Sequence, residues 1–367
     1  MLHLAHLRVF ESSDLQNLTL PRDGEVKLGQ ALEGIRDVQD LASLRVALEN
    51  KAKSGVRYGI IGIPEDIGPR ANFGRGGSHE AWDPFVTNLA NIQSNKFLNA
   101  DKIAVIGSID VSELQQQAIN LDSSKVQDIN KLRILCSQLD QIVEEVVQTI
   151  FASGLELIVI GGGHNNTYPI QKGLANSQAE AGKPIGVACI NCDPHADFRA
   201  IEGRHSGNGF TYAHREEILK AYYVVGLHES YNSETLLDSF KQAGFQYSTY
   251  EDIKIRAKLS WGEAIQSGVE YLKANSKMFA VGIELDLDSI VFSPVSAETP
   301  NGLTCEETAH FVYRVASECS EVAYLHIPEG APKHYANLQA GKRYVGRTIT
   351  NAVTAYIKAR EERRIEL

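Results

Sequence analysis

Three apolar runs in this chain each break off into residues that bind metals, and that recurrence restricts the fold more than any other feature. Ile185-Gly-Val-Ala-Cys-Ile190 leads into Asp193, His195 and Asp197 at alternate positions. Leu155-Glu-Leu-Ile-Val-Ile160 runs into Gly161-Gly-Gly-His164, and the run that starts at Met278 ends in Glu284, Asp286 and Asp288. The runs are nearly continuously apolar, the pattern of strands covered on both faces in a parallel sheet. Ligand-type residues at their carboxyl ends lie where open α/β sheets hold their sites. An isolated Asp-x-His-x-Asp also suits a solvated acidic loop. Several such ends converging on one sheet edge argue for a site, because grouped buried carboxylates are costly without a cation. Carboxylates and imidazoles with no thiolate suit a borderline-hard ion such as Mn better than a structural Zn.

The rest of the chain alternates strands and helices, which predicts a doubly wound, mainly parallel sheet. Further strands are expected at Val56–Ile63, Lys102–Ser108, Ala221–Gly226, Phe245–Ile253 and Val322–Ile327. Helical spacing predicts helices at Ile35–Ala52, Asp128–Phe151, Ser233–Gln242, Trp261–Ala274, Thr304–Ser317 and Arg347–Arg360. Thr304 and Glu307 form a capping-box signature. Residues 1–55 read as an accessory segment with no chemistry, and residues 56–367 as the main domain. The glycine-rich stretch Glu65–Glu80 lacks the spacing and helix start of a dinucleotide fingerprint. A loop of that length is more often functional than idle.

Composition closes off other classes. The chain has 367 residues and a formal charge of -10, with no dense basic run, so nucleic acid and anionic membrane are not expected partners. No apolar stretch approaches membrane-spanning length. The N-terminal residues lack signal-peptide character. Five scattered cysteines predict reduced thiols in a cytoplasmic protein. Cys189-Ile-Asn-Cys192 has redox spacing but lies in an apolar strand, which disfavours a reactive thiolate.

The ordered set Gly-Gly-Gly-His164, Asp193-x-His195-x-Asp197 and Asp286-x-Asp288 resembles the ureohydrolase (arginase/agmatinase) family over roughly residues 56–332. The resemblance implies a three-layer α/β/α fold with a mainly parallel sheet of about eight strands. It implies two Mn2+ ions per subunit on His164, Asp193, His195, Asp197, Asp286 and Asp288, hydrolysis of an amidino or guanidino C–N bond, and a homo-oligomer. Asp197 carries over as proton carrier, and Glu329 as the acid that cradles the substrate's cationic head.

Within the family, Arg70-Ala-Asn-Phe-Gly-Arg75 and Asp197-Phe-Arg199 look most like formimidoylglutamase. That enzyme's small-molecule substrate, N-formimidoyl-L-glutamate, has two carboxylates, and guanidinium groups bind carboxylates bidentately. Arg75 and Arg199 are the expected anchors, with Ser206 and Asn208 as further substrate-binding positions. Three departures stand out. The family's histidine after Ser-Gly-Asn is missing, leaving His205 before it as an open substitute. Glu284 stands where the family usually has Ser, and His326 where it has Asp. A urea-releasing guanidino hydrolase and a non-catalytic metal-binding protein are the competing readings.

Overall fold

The computed structural model describes residues 2–4, 6–275 and 277–366. Its ten strands are β1 (Leu2–Leu4), β2 (Leu7–Val9), β3 (Tyr58–Gly62), β4 (Ile103–Ile109), β5 (Glu156–Ile160), β6 (Val187–Cys192), β7 (Leu219–Leu227), β8 (Gln246–Thr249), β9 (Ala280–Leu285) and β10 (Val322–Ile327). They form one sheet in the order β1-β2-β4-β3-β5-β10-β9-β6-β7-β8. From β4 to β8 every pairing is parallel. The hairpin β1-β2 adds to β4 antiparallel.

Period-2 alternation sends each strand's residues to two separate cores. From β5, Ile158 and Ile160 join the core under the helices Trp82–Asn91, Trp261–Asn275, Cys305–Glu318 and Leu338–Glu366. Leu157 and Val159 join the opposite core, under Leu41–Lys53, Val126–Ala152 and Thr167–Glu180. Both faces are covered, as the uninterrupted apolar runs require. The result is a three-layer α/β/α architecture. Among the described residues no helix is long and apolar enough to cross a membrane.

Several elements depart from the sequence expectation for local reasons. The first ten residues supply a hairpin at the sheet edge whose three-residue strands give no periodic signal. The first long helix starts at Leu41, not Ile35, because the Asp40 side chain accepts the Ser43 N–H at 2.7 Å and caps it there. Ile35 and Val38 are buried from an irregular segment instead. β8 stops at Thr249, where the Thr249 hydroxyl takes the Asp252 N–H at 3.1 Å and the chain coils through Glu251–Ile255. Residues 7–53 contribute Leu7, Val9, Leu15, Leu28, Leu44 and Leu48 to the two cores.

All five cysteines are free. Cys189 and Cys192 lie three positions apart in β6, so they face opposite sides of the sheet and cannot act as a pair. Burial raises both thiols above their ordinary range.

Candidate metal centre

Four neighbouring central strands, β5, β10, β9 and β6, end at the same edge. His164 follows β5, Glu329 follows β10, Asp286 and Asp288 follow β9, and Asp193 to Asp197 follow β6. The sheet order therefore gathers residues up to 165 positions apart in sequence, as the His164 N–H to Glu329 Oε1 hydrogen bond of 2.7 Å shows.

The turns that aim these side chains are built individually. Gly161 and Gly162 have φ of 82° and 72°, conformations that side chains resist, so glycine is required to turn sharply off β5. Buried Glu65, just after β3, clamps that turn. It accepts from Gly163 N at 2.6 Å, Asn166 Nδ2 at 2.7 Å, Ile67 N at 2.7 Å and Gly68 N at 3.1 Å. Asp286 caps the next turn by accepting the Asp288 N–H at 2.7 Å. Asn232 holds the β6 loop by accepting from Ala196 N at 2.9 Å and donating to Pro194 O at 3.0 Å. Asp197 and Glu329 adopt φ of 46° and 69°. Left-handed backbone at non-glycine residues costs on the order of 1–2 kcal/mol each, and such strain concentrates at functional sites.

The resulting cluster is dominated by acids. His164 Nδ1 lies 2.9 Å from Asp197 Oδ2, 2.9 Å from Asp286 Oδ2 and 3.1 Å from Asp193 Oδ2. Those four ligand atoms lie within 4.8 Å of one another. Asp193 turns its other oxygen, Oδ1, toward His195 Nδ1 at 3.4 Å, and Asp288 Oδ2 is 4.0 Å from the same nitrogen. The two oxygens of Asp193 thus face two different imidazoles. His195 is braced by the Tyr231 ring stacked at 5.9 Å, which in turn stacks on His228 at 4.5 Å.

The electrostatics are those of a site built for cations. Burial and then the Asp193 charge push Asp286 up to about 7. Burial followed by Asp286 raises Asp288 and Glu329 well above the carboxylate range. Burial alone would lower His195, but the Asp193 carboxylate outweighs it and raises it to about 9. Both ring nitrogens of His164 and Glu329 Oε2 are buried without a hydrogen-bond partner among the described residues. Orphaned imidazole and carboxylate atoms among excess acids are the donor set that divalent ions such as Mn2+ satisfy. His164, Asp193, Asp197 and Asp286 fit that group.

A cleft of about 680 Å3 opens over this cluster, lined by His195, Asp197, Asp286, Asp288 and Glu329 at its floor. Arg199, Ser206, Asn72 and Tyr231 also line it. Arg199 is half exposed there, with Glu202 Oε1 3.5 Å away. Two expected anchors lie elsewhere. Arg75 spends its donors on Ser296 O at 3.1 Å and Val295 O at 3.0 Å, fastening the glycine loop to the loop after β9. Asn208 donates to Ala200 O and Gly203 O and accepts from Arg204 Nη1 at 2.8 Å, so it holds its own loop together. His205 caps that loop through Nδ1, which accepts Gly207 N–H at 3.1 Å. Burial and then Arg133, Arg199 and Arg204 hold it down to about 3, while its Nε2 stands 3.2 Å from Glu202 Oε1.

Sequence reasoning missed Asn72. It sits inside the Arg70–Arg75 stretch, donates to Ser206 Oγ at 3.3 Å, and leaves its Oδ1 buried without a partner. It also missed Glu65, for which the only sequence signal is an acid directly after a buried strand.

The comparisons with known proteins agree with this geometry. The family model described as the Arginase family matches residues 56–355. The chain is 29% identical over 282 residues to the formimidoylglutamase of Macrococcus caseolyticus, covering 75% of this chain and 78% of that protein. It is 25% identical over 298 residues to formimidoylglutamase of Streptococcus pyogenes, covering 78% and 82%. Among solved structures, Trypanosoma cruzi formiminoglutamase with Mn2+ superposes with a TM-score of 0.66 at 19% identity, covering 91% of this chain and 98% of that one. Formimidoylglutamase from Bacillus subtilis gives a TM-score of 0.69 at 18% identity, covering 93% of each. At those identities the two structures speak for the fold.

Proposed function

This chain belongs to the arginase family, and on that premise we propose that it is a metal-dependent hydrolase of linear amidines that converts N-formimidoyl-L-glutamate to L-glutamate and formamide with two Mn2+ ions. The observation that carries the reading is the pairing within one cleft. An acid cluster with orphaned ligand atoms forms the floor, and the Arg199 guanidinium with Asn72 forms the wall.

His164, Asp193, Asp197 and Asp286 would hold one ion, and His195 with Asp193 and Asp288 the other. Ions held there supply Lewis acidity and a hydroxide nucleophile near neutral pH. The chain's own residues do the rest. Glu329 points an unpartnered oxygen at the cleft and holds the NH2 end of the cationic formimidoyl group through a charge-assisted hydrogen bond. Arg199 faces a substrate carboxylate, and Asn72 offers a further polar contact. The oxygen of water adds to the formimidoyl carbon, and the bond from that carbon to the glutamate nitrogen breaks. The departing nitrogen needs a proton. Asp197 is the carrier, since it lines the floor of the cleft beside the His164 ring and so stands next to the reacting bond.

Product analysis tests the reading. The Mn2+-loaded protein is offered N-formimidoyl-L-glutamate, arginine, agmatine and guanidino acids in parallel. Formamide and glutamate from the first are expected. Urea from any of the others, with no formamide, would replace this substrate by a guanidino one. Arg199→Ala should raise KM roughly 10- to 100-fold, the worth of a hydrogen bond between charged groups, with kcat little changed.

A further inference from the structure

Behind His164, on the side away from the cleft, lies a polar knot that the metal centre itself does not use. Glu284 on β9 and His326 on β10 are register partners in the parallel ladder, and both are fully buried. Glu284 Oε1 accepts from the Thr167 hydroxyl at 2.7 Å and the Tyr324 hydroxyl at 2.8 Å. Its Oε2 meets His326 Nδ1 at 2.7 Å and stands 3.4 Å from His164 Nε2. Gln171 Nε2 lies 3.2 Å from each of the two hydroxyls and donates to both. Each hydroxyl therefore accepts from Gln171, which leaves its own proton for Glu284. The protons on Oε1 are thus assigned, and Oε2, which also meets His326 Nδ1, is the oxygen that faces His164.

His164 has one nitrogen to give to an ion and one to steady its ring. Its Nδ1 points into the acid cluster, so a neutral ring that binds an ion through Nδ1 carries its proton on Nε2, toward Glu284. A carboxylate at that position fixes the tautomer and orientation of a ligating histidine. The resemblance leads one to expect Ser at 284 and Asp at 326; here the acid stands on the facing strand and an imidazole fills its former place. Because the two positions are register partners and the His326 ring lies 5.9 Å from that of His164, an acid at either position points to the same side of the sheet, toward this ring.

We propose that Glu284, held by His326, is the positioning residue for His164, and that the two form a coupled exchange which keeps a single acid behind this ligand. The proposal rests on the metal-centre reading above. The test is Mn2+ binding by chelator-stripped protein, followed by electron paramagnetic resonance of the free ion. It is run on wild type, Glu284→Gln, Glu284→Ser and the double variant Glu284→Ser/His326→Asp, with thermal midpoints of each metal-free form. Loss of such an outer partner costs about 10- to 100-fold in metal affinity. That loss is expected in both single variants, with the double variant returning to within about threefold of wild type. Wild-type affinity in Glu284→Gln overturns the proposal. So does a double variant no better than Glu284→Ser. Absence of Mn2+ binding by the wild type would instead strike the metal-centre reading itself. Glu284→Gln is close to isosteric, so it answers the question even where the serine variants fail to fold.

Discussion

The two ends of β5 carry buried polar clusters of opposite design. At the start, Glu156 accepts from Arg360 Nε at 2.9 Å, Arg360 Nη2 at 2.9 Å, Arg364 Nη2 at 2.6 Å and the Tyr356 hydroxyl at 2.8 Å. Arg360 gives its remaining protons to the carbonyls of Ala316, Cys319 and Ser320. Two guanidinium groups meet the one carboxylate there, and its hydrogen bonds are made. Just past the other end, His164 sits among Asp193, Asp197 and Asp286 with no guanidinium or ammonium of the described residues against them, and orphaned atoms remain. A carboxylate met by guanidinium groups holds the fold together without help; grouped buried acids that no such group meets imply a ligand that is itself a cation. Asp140 with Arg204 belongs to the first kind, since Arg204 Nε donates to it at 2.7 Å.

Substitutions should separate the two ends cleanly. Asp286→Asn keeps the Oδ1 that caps the Asp288 turn but removes a ligand charge. Several kcal/mol of transition-state stabilisation should go with it, a loss of about 10^3-fold or more in kcat/KM. The same variant should raise the thermal midpoint of metal-free protein, since burial and Asp193 disfavour that charge. A lowered midpoint would mean that Asp286 is structural in the way Glu156 is. Arg360→Ala should do the reverse. Breaking a buried pair costs about 3–5 kcal/mol, read by denaturant unfolding, while Mn2+ affinity stays within twofold.

A smaller effect separates the ends by pH. Asp286 stands at about 7 in the folded, metal-free chain against an ordinary 3.8. Between those values the folded protein holds a proton that the unfolded chain has released, so stability falls as pH rises through that window. His195, at about 9 against 6.5, extends the decline upward in the same direction. Metal-free protein should therefore melt at lower temperature at pH 8.5 than at pH 5. The loaded form should show a shallower decline or none, because ions displace those protons. Parallel pH profiles for both forms would count against the cluster as the ion site. Smallest of all, Arg75→Ala removes a half-exposed tether between two loops. It should cost about 1 kcal/mol or less and move KM by less than threefold; a large KM effect would return Arg75 to the substrate.

What the sequence disclosed follows the same division. Strands covered on both faces must be apolar runs, so His164, Asp193 and Asp286 stand out as interruptions at their ends. Strand order then brings them together. Loop residues obey no such rule. In Arg70–Arg75 the arginine drew attention, yet its donors are taken by backbone carbonyls and Asn72 faces the cleft. Which loop residue points inward depends on hydrogen bonds to a segment some 220 positions away. Glu284 and His326 were visible as departures, but their partnership was not, because register between β9 and β10 is a tertiary fact. The edge hairpin at the N-terminus was too short to register as strands.

The central claim is that the acid excess beyond β5 is a two-ion site. Titration of chelator-stripped protein with Mn2+, followed calorimetrically and by electron paramagnetic resonance, tests it most directly. The account predicts two ions per chain, a spectrum of coupled rather than isolated ions, and a rise in thermal midpoint on loading. Binding of no ion, or of a single ion that leaves the midpoint and the effect of Asp286→Asn unchanged, would contradict it.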